Sequence, residues 1–311
     1  MHTIRRLAAP AGAALVLALS AMPARAQDVH PAAGGLAMQI APHAYVVTEG
    51  GRNLVLITGA RESMVVGLQQ PAAVEKARQV LATLHAPPVR YAVMMMGPGA
   101  VGMGDGGWGR DGALTIAQER LRYRILGASG NRPASDTSAQ HPPTMGFSEV
   151  VQLAMGEDED AHLVHQPAGA TDGDVAVHFE GASVLYLSSL TTDGYPDLNA
   201  DEGGTLAGLI KTVDDFANNF ADAPQAIDPI VPARGPLAQL NELREFRDML
   251  IATRDAVNPM LQAGKTADEV VAAHPTATLD ARWGHGPVSA DQFVRAAYAA
   301  LAKERAAPAT H

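Results

Sequence analysis

The chain has no cysteine among its 311 residues. It therefore carries neither a disulfide nor a thiolate nucleophile, and its stability must come from packing. Basic charge is also in short supply, with 23 Lys and Arg against 33 Asp and Glu and a formal net charge of −10. An acidic surface of this kind argues against nucleic acid or an anionic membrane as a partner. Beyond the first 26 residues no stretch is long and apolar enough to span a bilayer. There is no short-period repeat and no linker that would split the chain. A Gly-x-Ser-x-Gly elbow is missing too, so Ser188-Ser189 has neither the strained turn nor the base that acyl transfer requires.

At the N-terminus, Arg5 and Arg6 precede an apolar run from Leu7 to Ala21, and Ala24-Arg25-Ala26 offers a small-x-small cleavage site. Residues 1–26 are expected to be a secretory signal peptide, the run being short for a membrane anchor and broken by Pro10. The arginine pair opens a twin-arginine pattern that Leu7-Ala8-Ala9 does not continue. Removing Arg5, Arg6 and Arg25 takes the charge from −10 to −13. The expectation is a periplasmic or secreted protein, residues 27–311 forming one domain whose part from about 237 onward is helical.

Three short strands are predicted at Ala44–Thr48, Asn53–Thr58 and Ser63–Gly67, separated by glycine turns. Pro71–His85 reads as a helix, with Pro at its start and Val74, Ala77, Val80, Leu81 and Leu84 at helical spacing. Val89–Met96 is a buried strand by its apolar, β-branched content. It runs into a glycine-rich loop, Gly97 to Gly112, which precedes a short strand (Ala113–Ile116), a charged helix (Ala117–Leu126) and an exposed polar loop (Gly127–Pro143).

The second half repeats the rhythm. Strands are predicted at Val150–Ala154, His162–Gln166, Val175–Phe179 and Val184–Leu187, then a helix over Gly204–Phe220 and a strand at Pro229–Val231. Helices follow over Leu237–Ala263, Thr266–Ala273 and Ser289–Lys303, with capping boxes at Thr266/Glu269 and Ser289/Gln292. Two β-rich halves that each end in helices imply an α/β fold with two sheets face to face and helices outside.

A strand that ends in a long glycine loop is where α/β proteins place their sites. Here the loop offers no nucleophile, base or hard metal ligand from Gly97 to Met103. The order of short motifs around it is nevertheless familiar. Gly51-x-Asn53, the strand ending near Gln69, Val89-Arg90-Tyr91, Ala170-Thr171-Asp172-Gly173-Asp174, Gly194-Tyr195-Pro196 with Gly203-Gly204, and Pro232-x-x-Gly235-Pro236 together resemble an exported member of the metallo-β-lactamase superfamily. The resemblance runs through most of the chain to the helical tail with Trp283 and Phe293. It implies a four-layer αββα sandwich with a helical C-terminal extension.

In that family a His-x-His-x-Asp-His loop and three later residues hold one or two zinc ions, which activate water. Carried onto this chain, the resemblance puts the four loop ligands at Met96, Pro98, Ala100 and Val101. The later His falls on Ala170, the bridging Asp on Ser189 and the last His on Arg234. None of the seven is a zinc ligand, and the acid that closes the third strand is replaced by Gly67. The expectation is a metal site lost and no cofactor. Apolar side chains there relieve the repulsion that a carboxylate and imidazole cluster would suffer without its dication. Arg234 is predicted to supply a cation in the metal's place and to pair with Asp172 or Asp105, with Asp174 a further cleft residue.

Two functions of different class follow. The first is a pseudoenzyme that binds a small molecule or protein partner in the vacated cleft. The second is a zinc hydrolase of β-lactam, ester or thioester type using an altered ligand set. The residues favour the first, because no other route to an activated water is visible. A third, minor reading is Cu(I) binding by Met94, Met95, Met96 and Met103, set against core packing, since thioethers serve both.

The histidines add no site at this level. His162 and His165 are three apart on a strand and face opposite sides. His43, His85, His141, His178, His274 and His285 stand alone, and Gly284-His285-Gly286-Pro287 copies the family's Gly-His-Gly-Pro too late in the chain. Gly106 to Asp111 is half of a calcium repeat that needs stacked copies, and reads as a loop. The run Glu157-Asp158-Glu159-Asp160 reads as a solvated turn.

Overall fold

The protein is described by a computed structural model over residues 29–97, 100, 104–129, 141–156 and 159–306. The expected signal peptide, Pro98, Val101, Met103, Glu157, Asp158 and most of the polar loop before Pro143 lie outside the described residues.

Thirteen strands form one hydrogen-bonded ladder. The first eight are β1 (His30–Ala32), β2 (Ala37–Ala41), β3 (Ala44–Glu49), β4 (Arg52–Thr58), β5 (Ser63–Gly67), β6 (Val89–Met94), β7 (Leu114–Gln118) and β8 (Met145–Phe147). They lie side by side in chain order, antiparallel up to β5 and parallel from β5 to β8. The second half holds β9 (Val150–Ala154), β10 (Asp160–His165), β11 (Val175–Phe179), β12 (Val184–Thr191) and β13 (Ile230–Arg234), also in chain order, with only the last pair parallel. One register pair, Arg52 with Arg234, joins β4 to β13.

The alternation of side chains along the strands shows how the halves stack. Val46, Val55, Ile57, Val66, Val93 and Ile116 of the first half share a buried cluster with Val175, Val177, Phe179, Val184, Tyr186 and Val231 of the second. That shared cluster is the layer between two sheets. The intervening residues point outward. Tyr45, Val47, Leu54, Leu56 and Val65 pack against α1 (Pro71–Thr83) through Val74, Ala77, Val80 and Leu81.

On the other flank, Ala176, Leu185, Leu187 and Ile230 pack against α3 (Leu206–Asn219), α4 (Leu240–Gln262) and α7 (Ala290–Ala306). Between these come α2 (Glu119–Ser129), α5 (Ala267–Ala272) and α6 (Asp280–Trp283). The architecture is the expected helix, sheet, sheet, helix sandwich. Both predicted capping boxes form: Thr266 N donates to Glu269 Oε2 at 2.7 Å, and Ser289 N to Gln292 Oε1 at 2.8 Å.

The structure differs from expectation mainly at short elements. β1 arises from the Pro/Ala/Gly leader His30 to Gly35, which has little β-propensity, and is held through β2 (AMQIA), a strand also not expected, which pairs with both β1 and β3. Four-residue α6 lacks the length for a periodic signal.

Candidate functional site

A cavity of about 460 Å³ opens where the ends of both half-sheets meet the first turns of α7. Met96 and Gly97 reach it from the end of β6, Ala170, Thr171 and Asp174 from the loop before β11, and Ser188 to Thr191 from the end of β12. Arg52 and Arg234, the pair that joins the halves, line it as well. Four positions that the resemblance assigned to ligands, Met96, Ala170, Ser189 and Arg234, thus converge from four segments. Ala100 is buried but sits to one side, in the apolar cluster of Leu68, Met94, Met96, Ala117, Leu121 and Ile125.

The motifs that frame the cavity are tied to one another by backbone groups. Asn53 Nδ2 donates to the carbonyls of Pro232 (2.9 Å) and Gly235 (2.8 Å), so Gly51-x-Asn53 clamps Pro232-x-x-Gly235-Pro236. Gly235 lies at φ +96°, and a Cβ there would stand 2.6 Å from Thr192 Oγ1. The Asp174 carboxylate accepts from the amides of Ala170 (2.6 Å) and Thr171 and from the Thr171 hydroxyl (2.8 Å), closing the Ala170 loop into a fixed turn. Gly173 has no room for a side chain because the Met96 thioether chain lies over it.

Asp174 is 2 % exposed, and burial pushes its carboxyl up to about 7 against those hydrogen bonds, which pull the other way. With its folded value above its unfolded one, the folded protein holds a proton that the unfolded chain releases. This contribution to stability is present at acid pH and is lost as pH rises through about 7. Thermal melts should therefore show Tm falling as pH is raised from about 5 to about 7, and Asp174→Asn should lessen that slope, leaving the part due to Glu159, whose buried carboxyl is also pushed up to about 7; an equally steep slope in the variant counts against it.

Arg234 is 2 % exposed and does pair with acids, but not with the predicted ones. Its Nη1 stands 3.2 Å from Asp193 Oδ1, its Nε 4.0 Å from Asp197 Oδ2, and its Nη2 donates to the Tyr195 carbonyl at 2.8 Å. The first two contacts are ion pairs without hydrogen-bond geometry. Burial lowers the Arg234 pKa, while Asp193 and Asp197 draw it back up. Arg52 takes the other share of Asp197, Nη2 to Oδ2 at 2.7 Å.

The predicted partners are engaged elsewhere. Asp172 lies 2.7 Å from Arg124 of α2, and Asp105 is buried in its turn, accepting from the amides of Gly107 (2.9 Å) and Gly109 (3.0 Å). Neither lines the cavity, so of the three predicted cleft acids only Asp174 is there. The signal for the true partners was proximity in the chain: Asp193 and Asp197 flank Gly194-Tyr195-Pro196.

Other candidates resolve into structure. Asp105, with Trp108 donating to Gln69 Oε1 at 3.0 Å and Arg78 stacked 4.1 Å over its ring, makes Gly106 to Asp111 a packed turn. Met94 and Met96 share one apolar cluster and Met95 lies between the sheets, as core packing requires. Ser188 Oγ accepts from the Val175 amide at 2.8 Å. His285 is exposed, against the Ala281 carbonyl at 2.8 Å, yet its neighbour Gly286 does approach Arg234: a Cβ there would stand 3.3 Å from Nη1.

Could these residues hold the zinc that the resemblance implies? No histidine or cysteine lines the cavity among the described residues. Asp174 is spent on the loop and Asp197 on two arginines, which leaves Glu202 as a single carboxylate beside a thioether, hydroxyls and amides, too few carboxylate or imidazole donors to hold zinc. A guanidinium stands among them. The donor set does not fit the ion.

No family model matches the chain, and no curated protein matches it by sequence. Solved structures do match it. A metallo-β-lactamase from Pontibacter korlensis is 15 % identical, with TM-score 0.53, over 69 % of this chain and 98 % of its own. One from Hirschia baltica is 15 % identical, with TM-score 0.50, over 69 % and 96 %. A stereoselective inverting sec-alkylsulfatase from Pseudomonas sp. is 12 % identical, with TM-score 0.60, over 84 % of this chain, which spans about half (49 %) of that longer protein. The fold is therefore that of the metallo-β-lactamases.

Proposed function

We propose that this metallo-β-lactamase fold serves as a non-catalytic binding protein, whose cleft takes a small molecule where its fold relatives carry out hydrolysis. The observation that carries the reading is the cavity itself. Its volume falls in the range of ligand pockets, and it combines apolar wall from Met96, Leu190, Leu198 and Val288 with a few polar groups from Ser189, Asn199 and Gln292. The cavity arginines face acids at ion-pair distance, and the half-buried Glu202 carboxylate also lines the wall, so the ligand that suits it carries no negative charge and has an apolar body with one or two hydrogen-bond donors.

Hydrolysis in this fold depends on a metal-activated water, and the donor set argues against one. Purified protein with added zinc should turn over β-lactam, carboxylic ester, thioester and secondary sulfate ester substrates no faster than buffer. A neutral fragment that raises Tm should lose its effect in Ala296→Phe, which fills the cavity from α7. Zinc-dependent turnover abolished by a chelator would establish the hydrolase reading instead.

A further inference from the structure

The pairing of β10 with β11 sets His162 opposite His178, a relation that neither residue's chain position announces. One step further along, the Glu180 amide donates to the Asp160 carbonyl at 3.0 Å, so Asp160 lies beside Glu180. Ala161, Leu163, Val177 and Phe179, the alternate residues, fill the layer between the sheets. By the same alternation Asp160, His162, His178 and Glu180 all rise from the opposite face, two from each strand. The strand order places this square one strand in from the edge strand β9.

Among the described residues, one group offers three ligand atoms close together: those of Asp160, His162 and Glu180 lie within 4.8 Å of one another. His162 Nε2 is 3.2 Å from Glu180 Oε2. That is close to the separation of about 3.4 Å between two ligand atoms of a tetrahedral ion with bonds of about 2.1 Å. Gln152 of β9 donates to Asp160 Oδ2 at 2.9 Å, which orients the carboxylate and leaves Oδ1 for another partner. No Lys or Arg forms an ion pair with Asp160 or Glu180 among the described residues, and Glu159 adds a third acid beside them.

His178 supplies the independent observation. It is 9 % exposed, its Nε2 faces the Ala226 carbonyl at 2.9 Å, and its Nδ1 is buried with no partner. A carbonyl accepts only, so Nε2 carries the proton and Nδ1 the lone pair. A ring that donates one N–H to a backbone carbonyl and keeps the other nitrogen free is prepared as a metal-ligating histidine is. Phe220, 5.6 Å from the ring centre, walls that side from water.

We propose that Asp160, His162 and Glu180 form a binding site for one divalent ion of the zinc type, separate from the cleft, with His178, whose ligand atoms stand outside that three-residue group and whose ring centre is 6.4 Å from that of His162, drawn in as the fourth donor when the ion binds. Such an ion fastens the end of β10 to the end of β11. Two carboxylates and two imidazoles suit zinc or cobalt, and the site's acid excess matches the ion's charge.

The test is calorimetric titration of zinc into untagged full-length protein stripped with a chelator. One equivalent should bind, and His162→Ala and Glu180→Gln should each weaken it at least about tenfold. His285→Ala, which removes an exposed histidine elsewhere, should leave it unchanged. Glu180 is exposed, so its variant reads the site even if the His162 variant fails to fold. Cobalt should give the intense visible bands of a tetrahedral site, absent in both variants. The proposal is overturned if no equivalent binds, or if binding is unchanged in the two variants.

Discussion

Gly208→Ala is expected to leave little folded protein. Gly208 sits in the first turn of α3, and a Cβ built on it would stand 1.7 Å from the Ala168 carbonyl oxygen and 2.4 Å from its carbon. The obstacle is backbone, so no side chain can swing aside. Nor can the loop retreat cheaply. Thr205 accepts from the Gly208 amide (2.9 Å) while its hydroxyl donates to the Ala168 carbonyl (2.5 Å), and the Thr205 and Asn199 amides hold the carbonyls of Gly169 (2.7 Å) and Ala170 (2.9 Å).

Lifting the loop breaks these bonds in a buried place, at about 1–3 kcal/mol for each group left unpaired. The expected loss exceeds about 4 kcal/mol, a large part of a domain's total stability. It would also open the cleft, because Ala170 and Thr171 belong to the same loop. Soluble yield and circular-dichroism melts measure it. The matched control is Gly127→Ala in α2, where a Cβ meets nothing within 4 Å and a gain of about 0.5–1 kcal/mol is expected. A Gly208→Ala protein that melts within a degree or two of the parent would refute the tight docking.

That docking shows what a sequence reading reaches and what it does not. The strands at Val150–Ala154 and Val175–Phe179 and the helix opening at Pro71 lie where period and propensity put them, because each has a buried face that only one conformation can present. The sandwich itself was legible through motif order, and the motifs prove to be joints: Asn53 reaches Pro232 and Gly235 across the gap between the half-sheets. Glycines such as Gly204 and Gly208 read locally as helix punctuation, but their reason is tertiary. A Cβ on either would strike a carbonyl of the Ala170 loop, and no local pattern announces that.

The site was legible as a place and less so as a set of partners. Met96, Ala170, Ser189 and Arg234 do surround one cavity. Which acid meets which arginine depends on the path of the loop after β12, and there Asp193 and Asp197 outcompeted Asp172, already taken by Arg124. The histidines fail for a similar reason. His162 was weighed against His165 on its own strand, whereas its neighbour is His178, set by cross-strand register. Glu159, read as part of a solvated run, is drawn in to accept from the Gly181 amide at 2.9 Å, and its carboxyl is pushed up to about 7 by burial. Register comes from the whole sheet, so a single strand's pattern does not contain it.

Arg234→Met should cost about 3 kcal/mol, and the loss should shrink when Asp193→Asn is added. Methionine keeps most of the side chain's length and removes its charge. The Tyr195 carbonyl then loses its donor at 2.8 Å, and Asp193 keeps, among the described residues, the Thr191 hydroxyl at 2.9 Å. Breaking a buried pair by removing one partner costs about 3–5 kcal/mol. The lower end applies, because the Asp193 and Asp197 side chains are 29 % and 30 % exposed and Asp197 retains Arg52. If the cost comes from stranded negative charge, neutralising Asp193 in the same protein recovers about 1 kcal/mol, read as the coupling in a double-mutant cycle of melts. Arg234→Lys should recover less than the parent, since one ammonium cannot serve Asp193, Asp197 and the Tyr195 carbonyl together. An uncoupled cycle would mean that Arg234 acts only by filling space where β4 meets β13. A coupled one makes its guanidinium the positive charge that holds the acids of this cleft in place.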